Sequence, residues 1–194
     1  MSDNNSGMRR RSKSHEAILK ATYELLKEIG FQNLTIEGVA ARAKVGKTTI
    51  YRWWNSKGAL AVEAFLKTIE PSIHFEESSS ARKDISLQMI KLANVFESEE
   101  GVIIKEILAT AQFDKETLSL FQEGFLKPRR LAAKQILQKG VNNGEFKADI
   151  DFDLILDALY GPIYYRLVTG NLSNDVFFLQ TIESFVMSTL AVDK

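Results

Sequence analysis

The sequence contains no cysteine, which excludes both a disulfide framework and a thiolate metal site. Its two histidines, His15 and His74, stand far apart without ligand-like spacing, so no metal site is legible and no cofactor is expected. No apolar run approaches the ~20 residues a membrane-spanning helix needs. A basic run, Arg9, Arg10 and Arg11, is followed by Ser12, Lys13, Ser14 and His15 where a secretory signal requires an apolar stretch. These absences point to a cytoplasmic protein with no membrane partner. Paired histidines, a Ser/His/Asp order and a glycine-rich phosphate loop are also missing, so an enzyme finds no support. Net charge is zero, which on its own argues against a nucleic-acid partner. The distribution reverses that inference. Residues 1–67 carry 12 Lys/Arg against 6 Asp/Glu, and the remainder carries 13 against 19. A basic N-terminal module joined to an acidic domain is the pattern of a nucleic-acid binder with a second, partner-binding part.

Apolar residues recur at helical spacing along almost the whole chain, and no alternating strand pattern competes. The fold class is all-α, with about nine helices. Residues 1–10 read as a disordered basic arm. Ala17, Ile18, Ala21, Leu25, Leu26 and Ile29 form the first apolar stripe, which Gly30 ends. Thr35 is a good N-cap for a second helix carrying Ile36, Val39 and Ala40. Lys44, Val45 and Gly46 make a turn, and a third helix covers residues 47–54. Residues 11–57 are thus a three-helix unit with a helix-turn-helix. Residues 58–70 form a bridging helix stopped by Pro71, and residues 71–194 form a second helical domain. Further helices are expected over residues 85–96, 102–113, 152–169 and 176–192. The stretch from Asp114 to about Asn143 is either one helix kinked at Pro128 or two helices meeting near Leu126.

On the third helix, Ile50 and Trp54 fall on the side facing Val39, Ala40 and Leu25, while Thr48 and Arg52 project oppositely with Thr49 beside them. Lys47 opens the helix. A major groove admits such a helix, and arginine or lysine to guanine is the commonest specific contact. Tyr51, Trp53 and Lys57 lie on the flanks, suited to phosphates that set position without reading sequence. Together with Thr35, these eight residues are the expected DNA contacts, and the amides around Ser56 and Lys57 offer an anion site. Arg9, Arg10, Arg11 and Lys13 read either as an arm reaching phosphates or the minor groove, or as a solvated tail.

The motif resembles the TetR/AcrR family of bacterial transcriptional regulators, whose pattern runs roughly A-x-V-[SG]-x-x-[TS]-[IL]-Y-x-x-[FW]-x-[SD]-K. Here it stands as Ala43, Val45, Gly46, Thr49, Ile50, Tyr51, Trp54, Ser56 and Lys57. Ala17, Ile18 and Leu19, then Gly30 and Phe31, Leu34 to Ile36, and Val39 with Ala40 extend the likeness over about residues 10–65. Lys44 departs from the pattern at a turn position often filled by glycine, and Gly46 at one often filled by serine. Downstream, Asn143 to Phe146 and Gly161 to Arg166 are similar to one C-terminal subtype of the family.

The resemblance implies a homodimer on a near-palindromic stretch of double-stranded DNA, with a C-terminal domain that dimerises and binds a small-molecule effector. Its last two helices would form a four-helix bundle with the partner's, through Leu159, Ile163, Ile182, Phe185 and Val186. Phe96, Phe113, Phe121, Phe125, Tyr160, Tyr164 and Tyr165 are candidates to line an effector pocket between helices. Gln112, Arg166 and Glu106 are candidate polar anchors. Arg129 and Arg130 read as a solvated helix face, and Asp149, Asp151, Asp153 and Asp157 as capping and dipole residues rather than metal ligands. The expected function is a repressor released by a small hydrophobic effector. The alternative is a constitutive or architectural DNA-binding dimer without one.

Overall fold

The computed structural model describes residues 3–170 and 173–191, with side chains from residue 13 onward. The chain is all-α: the described residues form ten α-helices, one 3-10 turn and one π-helical turn, with no strand. The first helix, α1 (Asp3–Asn33), begins earlier than expected, so the stretch assigned to a disordered arm is helical from Asp3 on. The physical reason lies in the sequence: Asp3 suits the first turn of a helix, Met8 to Lys13 are nearly all good helix formers, and no proline occurs before Pro71. The side chains of Arg9, Arg10 and Arg11 lie outside the described residues, and Lys13 is exposed. At Gly30 the backbone leaves the helix with φ 75° and ψ 169°, a region open essentially to glycine alone, so the stop stands where expected.

Helix α2 (Ile36–Ala43) starts at Thr35, whose hydroxyl accepts from the Gly38 amide at 3.0 Å. It ends at Lys44, held left-handed at φ 54°, ψ 44°, the conformation that the glycine common at this turn position adopts without strain. Helix α3 (Lys47–Tyr51) is shorter than the expected residues 47–54. The chain nonetheless turns on, because the Trp53 and Trp54 amides both bond the Ile50 carbonyl, at 2.9 and 3.0 Å. Helix α4 (Lys57–Ile69) gives way to a 3-10 turn (Glu70–Ser72) at Pro71.

The C-terminal helices are α5 (Ala81–Glu97), α6 (Glu99–Ala111), α7 (Lys115–Phe121), α8 (Lys127–Asn142), α9 (Phe152–Thr169) and α10 (Val176–Leu190). A π-helical turn (Gln122–Leu126) joins α7 to α8 and settles the question raised by Pro128. Proline offers no N–H and crowds the carbonyl four residues back. Widening the preceding turn takes up that defect, so the helix path is split without a loop. Among the described residues, counting α7 and α8 as one split helix gives the nine expected, and counting them separately gives ten. Val192 lies outside the described residues.

The chain divides into two compact units, and the division is not the expected single cut near residue 71. The first unit comprises residues 1–68 together with 103–124; the second comprises residues 69–102 and 125–194. In the first, the small core of Leu25, Val39, Ile50 and Trp54 is too thin to stand alone, and most of α6 with all of α7 adds Ile103, Ile107 and Phe121 to it, all buried. Glu106 of α6 accepts from the Phe31 amide just past the Gly30 break, which assigns this residue to packing rather than to a ligand. Thr117 of α7 sits so close to α4 that a Cβ at Gly58 would stand 2.2 Å from its hydroxyl oxygen. In the second unit α5 packs against α8, α9 and α10 around Ile85, Met89, Leu92, Leu137, Leu159 and Ile163.

Candidate nucleic-acid interface

The turn between α2 and α3 sorts the third helix's side chains as its sequence implies. Ile50 is fully buried and Trp54 nearly so, the latter anchored by its indole N–H donating to Glu63 at 2.7 Å. His15 stacks on Trp54 with ring centroids 4.8 Å apart and meets the same Glu63 carboxylate at 3.2 Å. With Ile50 and Trp54 fixed inward, Thr48 and Arg52 are exposed on the opposite side, Tyr51 and Trp53 are exposed on its flanks, and Thr49 is partly covered beside them. Tyr51 and Trp53 each leave about half their surface open, at 54% and 46%. Large aromatic rings left so exposed beside an arginine on a short helix are unusual on a surface that touches only water. Arg52 has no ion-pair partner among the described residues.

Three of the expected DNA contacts have other bonds. Lys47 donates to Glu37 of α2 at 2.8 Å, and the pair raises the lysine pKa while lowering that of the glutamate. Both side chains are more than half exposed, so this pair is a weak tie that a phosphate can replace. Thr35 is occupied in capping α2. Lys57 turns back: its ammonium donates to the carbonyls of Phe31 and Gln32 at 3.1 and 3.2 Å and lies 4.8 Å from the Phe31 ring centroid. It satisfies carbonyls left open where α1 breaks at Gly30. The anion site expected around Ser56 is likewise partly filled, since the Ser56 hydroxyl accepts from the Ala59 amide at 3.1 Å. Arg42 clamps α2 to α1 through a two-pronged bond to Glu28 at 2.8 and 2.6 Å.

The residues expected in an effector pocket do not gather in one place. Phe113 is 95% exposed, because it falls in the turn that closes α6 on Thr110 and leads into Asp114. Tyr165 is 65% exposed, one residue and about 100° around α9 from Tyr164. Phe121 is buried in the first unit. Phe96, Phe125, Tyr160 and Tyr164 belong to the second unit, and there Phe96 meets Tyr164 edge to face with centroids 5.0 Å apart. Of the other anchors, Gln112 is exposed and donates to the Leu108 carbonyl of its own helix at 3.3 Å. Arg166 bonds the Ser173 carbonyl and covers the Phe178 ring, tying α9 to α10.

Arg129 and Arg130 part company. Arg130 pairs with Asp153 and Asp157 on the surface, as a solvated face would, but Arg129 turns inward between Phe75 and Phe125. Its place was readable: it shares a helical face with Ala133, Ile136, Leu137 and Gly140, all buried. Asp151 caps α9 as expected, accepting from Asp153 and Leu154.

Among the expected dimer residues, Leu159, Ile163 and Val186 are at most 3% exposed within the subunit and are used up by its own core. The open apolar stripe on α9 is instead Leu154, Ala158, Gly161, Tyr165 and Val168. On α10 Phe177 and Phe185 are 80% and 74% exposed, with the partly covered Ile182 alongside. No helix among the described residues is long and apolar enough to cross a membrane.

Comparison with known proteins identifies the relatives of both ends of the chain. Residues 18–64 match the family of bacterial regulatory proteins, tetR family, and residues 75–182 match the tetracyclin repressor-like C-terminal domain. The chain is 40% identical to the uncharacterized HTH-type transcriptional regulator YdeS of Bacillus subtilis over 165 residues, 84% of this chain and 83% of that one. The crystal structure of the TetR family transcription regulator SCO0332 superposes with a TM-score of 0.80 at 28% identity, over 93% of this chain and all of that one. The transcriptional regulator FadR of Bacillus subtilis, solved in complex with stearoyl-CoA, shares the fold with a TM-score of 0.64 at 21% identity, over 91% and 97% of the two chains. The helix-turn-helix geometry and these likenesses together establish that the chain belongs to the TetR family of DNA-binding transcriptional regulators.

Proposed function

We propose that the protein is a homodimeric repressor that leaves a near-palindromic operator when a small molecule enters its second unit. The observation that carries this reading is the joint exposure of Thr48, Tyr51, Arg52 and Trp53 around the α3 turn, with Ile50 and Trp54 locked beneath them. Arg52 and Thr48 are suited to base edges, Tyr51 and Trp53 to flanking phosphates and sugars, and Lys47 to a phosphate once it exchanges Glu37 for the DNA backbone. Two such faces related by a two-fold axis require two matching half-sites.

The open stripe on α9 and α10 supports the dimer. Leu154, Tyr165, Val168, Phe177 and Phe185 are all more than 60% exposed, far more apolar surface than a solitary subunit leaves to water. The small residues Ala158, Gly161, Ser184 and Ser188 between them allow two helix pairs to approach closely. Release requires only that the effector bind the DNA-free conformer more tightly than the DNA-bound one. That a regulator of the same fold, FadR of Bacillus subtilis, was solved in complex with stearoyl-CoA lends weight to a ligand-responsive reading.

The test is a titration of the operator, obtained by selection from random duplexes, at fixed salt. Replacing Lys47 and Arg52 together with alanine should weaken binding by at least about tenfold, since a good base contact discriminates by ~1–3 kcal/mol. Undiminished affinity contradicts the reading of α3. Effector dependence is tested on the same complex with a panel of hydrophobic compounds. No release and no shift in melting would favour a constitutive dimer.

A further inference from the structure

The second unit contains polar groups that its own fold leaves unanswered, and they converge. Arg129 projects from the buried face of α8 with its guanidinium 5.3 Å from the ring centroids of both Phe75 and Phe125. Its one hydrogen bond from Nη1 goes to the Ile73 carbonyl at 2.9 Å. No carboxylate pairs with it among the described residues, whereas Arg82 in the same unit has Glu183, and Arg130 has Asp153 and Asp157. Burial pushes the Arg129 pKa down, and the groups whose charge bears on it are the phenols of Tyr160 and Tyr164. A guanidinium held between aromatic rings without an anion lacks the counter-charge that buried cations ordinarily find.

Two neighbours share the deficit. The Tyr160 hydroxyl is buried and has no hydrogen-bond partner. Gln88 of α5, 1% exposed, donates from Nε2 to the same Ile73 carbonyl at 3.2 Å, while its Oε1 is buried without a partner. Asp84, one turn before Gln88, does not supply the missing anion. It accepts from the Ser78 amide at 2.9 and 3.1 Å and faces Lys139 at 3.5 Å. Orphaned buried polar atoms are few in native proteins, and two beside one unpaired cation mark a place where something else binds.

We propose that Arg129, Tyr160 and Gln88 form the head-group site for an amphipathic carboxylate. The carboxylate takes the guanidinium and the Tyr160 hydroxyl, and the apolar body of the ligand lies along Phe96, Phe125 and Tyr164. This rests on the ligand-responsive reading above and sharpens it: the effector is an organic anion rather than a neutral hydrophobe. An arginine fork matches a carboxylate with two parallel bonds, and a tyrosine hydroxyl adds a third donor. A donor on the ligand beside the carboxylate, such as a hydroxyl, would satisfy Gln88 Oε1.

The experiment uses the full-length protein with octanoate and phenylacetate against their uncharged counterparts, octan-1-ol and 2-phenylethanol. Binding is read by calorimetry and by melting temperature. At least one carboxylate should bind ten or more times tighter than its alcohol, and Arg129→Gln should abolish that preference. Tyr160→Phe should weaken the carboxylate severalfold and leave the alcohol unchanged. Arg129→Met, free of ligand, should melt at or above the wild-type temperature, because it removes an unpaired, partly buried charge. A lower melting temperature for Arg129→Met would make the residue a structural strut and overturn the proposal. So would alcohols matching the carboxylates, or no carboxylate binding up to millimolar concentration. Operator release, followed separately, keeps the two readings apart. A carboxylate that binds through Arg129 without loosening DNA upholds this site and refutes effector control. A neutral compound that releases DNA without needing Arg129 does the reverse.

Discussion

Replacing Gly30 with alanine probes the joint that ties the helix-turn-helix to the rest of its unit. At φ 75° and ψ 169° the backbone lies where a side chain is strained, at a cost of ~1–3 kcal/mol. An added Cβ would also stand 2.9 Å from both carboxylate oxygens of Glu106, of which Oε2 accepts from the Phe31 amide next door. Moving that carboxylate weakens a charge-assisted bond contributing ~1.5–3 kcal/mol. The two costs overlap, and alanine recovers ~0.4–1 kcal/mol by restricting the unfolded chain. The expected net loss is therefore about 3 kcal/mol, which for a chain of this size lowers the melting temperature by ~6–12 °C. Circular dichroism melts of four proteins separate the parts: wild type, Gly30→Ala, Glu106→Ala and the double variant. With Glu106 truncated, the Gly30 change should cost only the backbone strain, leaving a coupling of ~1–2 kcal/mol between the sites. A Gly30→Ala protein within about 0.5 kcal/mol of wild type, the ordinary range for a surface substitution, would refute the argument.

Lys44 is the one non-glycine residue with positive φ among the described residues, so Lys44→Gly should stabilise the protein by ~0.5–1 kcal/mol in chemical denaturation, the relief of left-handed strain exceeding the added chain entropy. Glu145 reaches back to the start of α5, accepting from the Ala81 amide at 3.0 Å and the Ser80 hydroxyl at 2.9 Å. Burial alone would raise its pKa, but those bonds and the Arg82 amide hold it below the usual carboxylate range. Because folding lowers this pKa, the stabilisation is complete above the unfolded value near 4 and is lost as pH falls through the folded one. Glu145→Gln should thus cost ~1–2 kcal/mol at pH 7, with the difference from wild type shrinking below about pH 4 in urea melts. Phe177→Asp with Phe185→Asp should yield folded monomers in light scattering, since both rings are exposed on α10; an unchanged dimer would remove that face from the interface.

Much of the architecture was legible because caps and breakers are local. Thr35, Gly30, Pro71 and Asp151 each act within a turn of their own position, and each stands where its chemistry indicates. The buried and exposed sides of α3 followed from helical periodicity for the same reason. Periodicity does not say which neighbour an apolar face meets. It made Leu159 and Phe185 equal candidates for a dimer surface, although one is fully buried in the subunit and the other is 74% exposed. It also gave no sign that residues 103–124 would pack with the N-terminal helices, a long-range choice made by Glu106, Thr117 and Phe121. Arg129 was missed because an arginine pair reads as solvated unless each residue is placed on its own helical face. The bonds of Lys57 are not legible in sequence, because the Phe31 carbonyl it satisfies, 26 residues earlier, is left open only where α1 breaks.

The most direct test of the whole account is the stoichiometry and sequence preference of the protein on duplexes selected from a random pool. Enrichment of a two-fold symmetric site bound by two chains, with binding lost on shuffling either half, is the expected result. Selection that enriches no sequence, or one chain saturating an asymmetric duplex, would contradict it.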